Sequence, residues 1–402
     1  MEKLLVARRS IYDKKVNVVG YDLLFQEPSG GGAEDLIPDS LTVGYIADVF
    51  ADEDMRKVVG DGLVFVYFSE NMLESELPES IPKEQLVITL DSRYITIDTL
   101  VQASVKQFHA DGYRICASGF DIDEEWDAIA EYVHIVRVNV ASLDEAAIAE
   151  KIQRFADTGI KLLADDIKTH EVFDICKALQ FHYFEGYFLS LPNLVSSQKV
   201  NTNRITTMRL LVSLDDPEIS IDKVEELLSQ DSRLSYRLLR VVNSAAYGLR
   251  RVVTSLREAI IFIGLHQIRS WANIIVVTSQ DEKPTDLMIT TMIRAKMCEL
   301  MAEYIGAEDT RAFFTVGLFS TLDALLDKDM ASLLEELTLS DELNEALLEY
   351  GGDLGAMLCN VIAYQHGNWQ ELLDSGIEME TWRTVYLESV NWATTSYNEL
   401  SA

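Results

Sequence analysis

Two hydrophobic rhythms divide this chain, and a segment written in one cannot fold as the other. Up to about residue 190, short runs rich in β-branched and aromatic residues alternate with stretches at helical spacing. The strand candidates are Leu4 to Tyr12, Val16 to Phe25, Leu63 to Ser69, Leu86 to Asp91, Tyr113 to Phe120, His134 to Val140, Ile160 to Ile167 and Tyr183 to Leu189. Helical spacing runs through Thr96 to Ala110, Asp144 to Thr158 and Thr169 to Leu179. Repeated β-α units mean a parallel sheet with helical crossovers, and roughly eight strands in this length predict a (β/α)8 barrel rather than an open sheet. The first two runs are joined by Asp13-Lys14-Lys15, too short for a crossover, so they form an antiparallel hairpin. Gly30-Gly31-Gly32 marks a loop after it.

After Pro192 the alternation stops. Polar residues Ser196 to Asn203 read as a linker, and beyond them the pattern is helical throughout. Asp222-x-x-Glu225 and Ser255-x-x-Glu258 have capping-box spacing, and further helices run from about Met288 to Ile305, Thr310 to Leu326, Asp341 to Tyr350, Leu354 to Gln365 and Glu380 to Glu399. The chain is expected to be α/β plus all-α: a barrel over 1–195, a linker over 196–203 and a helical domain over 204–402. Its 402 residues suit two cores.

Against 34 basic residues stand 66 acidic ones, a net charge of -32 that opposes nucleic-acid phosphates and anionic lipid headgroups. Cys116, Cys176, Cys298 and Cys359 have no C-x-x-C spacing and read as reduced thiols. The amino terminus reaches Arg8 and Arg9 too soon for a signal peptide, and no apolar run approaches the roughly 20 residues that span a bilayer. A cytoplasmic protein that binds neither nucleic acid nor membrane is expected.

Val19-Gly20-Tyr21-Asp22-Leu23-Leu24-Phe25-Gln26 resembles the strand that names EAL domains. Phe65 to Ser69 is similar to that family's F-x-N-x-S, Leu162 to Thr169 to its L-L-A-E-x-V-E-T, and Phe184 to Ser190 to its F-x-Q-G-Y-x-x-S. The resemblance implies the fold of a cyclic-di-GMP phosphodiesterase, in which a ring of carboxylates and one asparagine holds two divalent ions. Here Asp22 stands at the first glutamate, Tyr67 at the asparagine, Thr89 at the next glutamate, and Ser118-Gly119 at an Asp-Asp pair. Arg137 stands at a lysine, Lys168 at a second glutamate and Glu185 at a glutamine. Asp22 and Asp165 keep shortened carboxylates, too few for two ions of about six ligands each. Gln26 replaces an arginine that contacts guanine, and Arg137 reads as a rim side chain paired with Asp22 or Asp165.

Asp231 to Gly248 follows the D-P-x-L-x-x-x-L-L-R-x-x-N-S-A-x-Y-G of HDOD domains, with Ser232 for proline, and Ala259 to Leu265 matches their A-I-x-x-L-G. Where related HD phosphohydrolases carry His-Asp, this chain has Ser320-Thr321, and no histidine in it precedes an aspartate. Barrel then helices resembles the EAL-HDOD class of bacterial signalling proteins. The resemblance, with its substitutions, implies a non-catalytic regulator of motility or biofilm formation that acts through a protein partner and uses no metal or cofactor. A homodimer is left open. The alternatives are a cyclic-di-GMP receptor, with Arg8, Arg9 and Arg137 replacing lost contacts, and a residual phosphodiesterase. Asn243 and Ser244 read as a helix cap, His366 as a helix-terminal residue and Trp369, Trp382 and Trp392 as core.

Overall fold

The computed structural model describes residues 5–26, 60, 62–75, 77–119, 124–193, 213, 219–229, 232–243, 252–278, 283–337 and 339–401. The linker over 196–203, the triple glycine and Ser244 to Gly248 lie outside the described residues. Eight strands close a barrel in sequence order: β1 (Leu5–Tyr12), β2 (Val18–Gln26), β3 (Leu63–Tyr67), β4 (Leu86–Asp91), β5 (Arg114–Ser118), β6 (Ile135–Asn139), β7 (Lys161–Ile167) and β8 (Tyr183–Gly186). All neighbours are parallel except β1, which runs antiparallel to β2 and to β8. Asp13 makes the hairpin turn, its Oδ1 accepting from the Lys15 and Asn17 amides at 2.7 and 2.9 Å.

The crossover helices begin where polar caps allow. Asp98, Asp144 and Thr169 accept amide hydrogens from the first turns of Thr99–Ala110, Glu145–Ile152 and His170–Ala178. Ile11, Phe65, Val87, Cys116, Ile135 and Leu163 form one buried cluster that fills the barrel interior. The last strand is shorter than its apolar run. Gly186 lies at φ 148°, and a Cβ there would meet the Ile167 carbonyl oxygen at 2.2 Å, so the chain turns away and Phe188–Ser190 forms a short 3-10 helix.

The chain clusters into two compact units that exchange segments: Met1–Leu189 with Ile362–Leu387, and Ser190–Val361 with Glu388–Ala402. Residues 362–387, read from the sequence as part of the helical half, therefore belong with the barrel. The cause lies in β1, which pairs with β8 only at Ile11 and Tyr12. Farther along β1, the Tyr364 hydroxyl donates to the Val6 carbonyl at 3.0 Å and the Arg8 amide donates to the Tyr386 hydroxyl at 3.2 Å. Tyr364, Trp369 and Trp382 are fully buried behind these contacts.

In the other unit the helix Thr285–Ile305 is buried along most of its length. Gly317, on Thr310–Phe319, is pressed so close to it that a Cβ would meet the Ala295 Cα at 2.7 Å. The helix expected over Thr310 to Leu326 is broken, with a second piece at Leu322–Leu326 and the break at Ser320-Thr321. Asp222 is no cap, since the helix Ile221–Ser229 starts on Ser220, whose Oγ accepts from the Lys223 amide at 3.2 Å. Ser255 does cap Leu256–Ile263, accepting from the Glu258 amide at 3.1 Å. Among the described residues no helix is long and apolar enough to cross a membrane.

Candidate functional site

Strand alternation carries the side chain two residues beyond each core position to the same inner face, one layer nearer the C-terminal rim. From Phe65, Val87, Cys116, Ile135 and Leu163 this reaches Tyr67, Thr89, Ser118, Arg137 and Asp165. Asp22 lies opposite Arg9 in the hairpin register, and Glu185 opposite Ile11.

Arg137 is the centre of this layer. Its Nη1 donates to Asp22 Oδ2 at 2.8 Å, to the Tyr67 hydroxyl at 2.7 Å and to Glu185 Oε2 at 3.0 Å, with Asp165 Oδ2 at 3.8 Å. The guanidinium is almost wholly out of water, at 1% side-chain exposure. Burial pulls its pKa down, but the surrounding carboxyls of Asp22, Glu185 and Asp165 outweigh burial and hold it well above the ordinary value. Arg9 is a second cation there, with Nη1 3.5 Å from Glu185 Oε1.

Two guanidiniums face three carboxyls, and a proton on one carboxyl balances them. Burial, with Asp165 close by, pushes Glu185 up to about 8, and burial raises Asp22 as well in spite of its ion pair. Burial also raises Tyr67 far above the phenol range and the Cys116 thiol to about 12, so both stay protonated.

The remaining rim residues do not join this cluster. Thr89 is buried with a hydroxyl that has no hydrogen-bond partner among the described residues. Ser118 bonds Asp91, which is clamped by Arg93 at 2.9 Å. Gly119 sits at φ 72° against Ser92, and Lys168 is exposed beside Asp166. Arg8 stacks on Tyr21, its guanidinium carbon 4.3 Å from the ring centroid. Two further residues complete the rim with Arg9: Arg9 Nη2 and the Tyr187 hydroxyl both donate to the His366 carbonyl, at 3.1 and 3.3 Å. Strand alternation with Ile11 was the signal that could have placed Arg9 on the inner face. Nothing in the sequence brings His366 here across 179 residues.

A pair of divalent ions, as an EAL phosphodiesterase uses, does not fit the residues as they stand. The oxygens that could ligate an ion converge on the Arg137 guanidinium, and an ion beside it would meet a like charge in a buried site. Among the described residues no group of three or more His, Cys, Asp or Glu side chains is disposed to hold a metal.

In the helical unit, Ser320 Oγ donates to the Gly317 carbonyl at 2.8 Å and accepts from Arg294 Nη1 at 3.0 Å. Thr291 Oγ1 donates to the Leu287 carbonyl at 2.7 Å, so the Thr321 hydroxyl, 2.7 Å away, is the donor to Thr291. Arg294 is buried, and burial lowers its pKa. Asn243 ties its helix to the next segment, with Oδ1 accepting from the Val253 amide at 2.7 Å and Nδ2 donating to the Val253 carbonyl at 2.8 Å.

Residues 203–349 match the family model of the HDOD domain. Over 397 residues the chain is 29% identical to cyclic di-GMP phosphodiesterase CdgJ of Vibrio cholerae serotype O1, covering 96% of this chain and 92% of that one. It is 27% identical over 401 residues to YuxH of Bacillus subtilis, 97% and 98% of the two chains. Among solved structures, the EAL enzyme Bd1971 with cAMP and cyclic-di-GMP bound is 14% identical over 46% of this chain and 61% of that one, with a TM-score of 0.38. By the HDOD match and the Vibrio relative, the chain is related to cyclic-di-GMP signalling proteins. The expectation that it is no enzyme is overturned by the first of these relatives, which aligns with this chain along almost its whole length and is named a phosphodiesterase.

Proposed function

We propose that this chain, a member of the EAL-HDOD class of bacterial signalling proteins, acts in cyclic-di-GMP signalling by binding a protein partner through its helical half. One observation carries the reading: the cation among the barrel carboxylates is a side chain of the protein itself, Arg137. The hydroxyls of Ser320 and Thr321 are likewise engaged internally, by Arg294 and Thr291. Side chains turned on one another in this way support action through differential binding of another molecule. Motility or biofilm formation is the behaviour we assign to that contact.

A second reading, hydrolysis of cyclic-di-GMP, is favoured by the name of the Vibrio relative. It requires Arg137 to swing away from Asp22 and Glu185 before those carboxylates can serve a reaction. The two readings separate in cells that lack the gene and are complemented with the chain carrying Asp22→Asn. Action by contact predicts that the variant restores behaviour without changing the cellular level of cyclic-di-GMP. Loss of complementation together with a rise in cyclic-di-GMP replaces it with the hydrolytic reading, which release of linear pGpG by the purified chain then establishes.

A further inference from the structure

We propose that the barrel mouth holds a nucleotide subsite, built by Tyr187 and Arg9, which the chain's own His366 fills. The inference rests on the assignment to cyclic-di-GMP signalling, takes the nucleotide from it, and adds which residues of this chain hold it and what keeps the site closed.

His366 does two things there at once. Its imidazole lies over the Tyr187 ring, with centroids 3.7 Å apart and planes 31° from parallel. Its carbonyl oxygen accepts from Arg9 Nη2 at 3.1 Å and from the Tyr187 hydroxyl at 3.3 Å. A flat heterocycle stacked on an aromatic ring, with an acceptor oxygen held by a guanidinium and a hydroxyl, is the chemistry by which proteins hold a nucleotide through its base and a phosphate or base oxygen. All these residues belong to one compact unit.

The place suits a ligand as well as the chemistry does. Tyr187 follows the end of β8 with its ring centroid 6.0 Å from the Arg9 guanidinium carbon, and Arg9 reaches both Glu185 of the polar layer and the His366 carbonyl. Arg9 Nε is buried with no hydrogen-bond partner among the described residues, a donor left for a ligand oxygen. Arg137 is engaged by carboxylates and Arg8 by Tyr21, which makes Arg9 the arginine of the three that can take an anion here.

The turn holding His366 in place depends on Gly367. It lies at φ 76°, and a Cβ on it would meet Leu24 Cδ1 at 2.6 Å. A tethered occupant acts at an effective concentration in the millimolar range, so a free nucleotide must displace it. Substitutions that remove the ring or push the turn off Leu24 therefore open the subsite.

The test is calorimetric titration of the full chain with cyclic-di-GMP, comparing wild type with His366→Ala, Gly367→Ala and His366→Phe. Circular dichroism confirms that each is folded. Both alanine variants are expected to bind at least tenfold more tightly than wild type, while His366→Phe, which keeps a flat ring on Tyr187, stays close to wild type. Adding Tyr187→Ala to His366→Ala removes the gain. The proposal is overturned if the folded alanine variants bind no better than wild type, whether or not wild type binds. That outcome leaves the protein-contact reading standing, since the Asp22→Asn complementation judges it without a titration.

Discussion

Glu185 holds its proton far above the range of an exposed glutamate, and this sets a direction for the protein's pH dependence. Its ordinary pKa of 4.5 is raised to about 8 by burial and by Asp165, and Asp22 is shifted the same way. A carboxyl that binds its proton more tightly when folded stabilises fully below its ordinary pKa, and the contribution is lost as pH rises through the folded value. Stability in chemical denaturation should therefore decline from about pH 5 to pH 8, by up to about 1.4 kcal/mol per pH unit for each proton. Glu185→Gln should flatten the decline; an unchanged slope would place the proton elsewhere. Arg137→Met removes the cation from a buried pair, a change that typically costs about 3–5 kcal/mol. The loss should be larger at pH 8 than at pH 5, where the bereft carboxyls can protonate. Equal losses at the two values would mean that the guanidinium matters by its volume alone.

At the scale of strands, the barrel's opposite end repeats one device. His134 Nδ1 accepts the Ile115 amide at 3.2 Å, and His182 Nδ1 accepts the Leu162 amide at 3.2 Å, each just before a strand. An acceptor nitrogen must be unprotonated. Burial lowers both pKa values, aided by His109 and Arg114 near His134 and by Lys14 and Lys161 near His182. A depressed folded pKa gives stability that is present above the ordinary 6.5 and lost as pH falls through the folded value. The protection of the Ile115 and Leu162 amides, their exchange relative to the intrinsic rate at each pH, should fall on acidification before the barrel unfolds, and constant protection down to global unfolding would refute the device. The eight strands were legible because each carries its period in a few consecutive residues, as Leu86–Asp91 does to the residue. The end of β8 was not, because Gly186 is stopped by the Ile167 backbone, a neighbour from another strand. The candidate site was half legible for the same reason: the motif resemblance paired Arg137 with Asp22 or Asp165, but the three-way contact at a single Nη1 arises only when the barrel closes.

The whole molecule divides differently from its sequence, because the barrel's unit takes in Ile362–Leu387. A fragment of residues 1–195 lacks Tyr364 and Tyr386, which satisfy Val6 and Arg8 on β1, and it uncovers apolar surface that Trp369 and Trp382 help to bury. It should be aggregation-prone or unfolded. Residues 1–189 joined to 362–387 by a flexible linker should recover a cooperative thermal transition. A fragment of 1–195 that melts as sharply as the joined form would show that the segment is dispensable. The interrupted unit also bears on how the protein is made. Its first 189 residues leave the ribosome long before residue 362 is added, a wait of roughly ten to thirty-five seconds at ordinary rates of synthesis. Throughout that interval the nascent barrel carries an unfinished strand edge of the kind that pairs with other chains. Chaperone capture of this polypeptide should therefore be concentrated while residues 190 to 361 are being translated and end as Tyr364 and Tyr386 emerge.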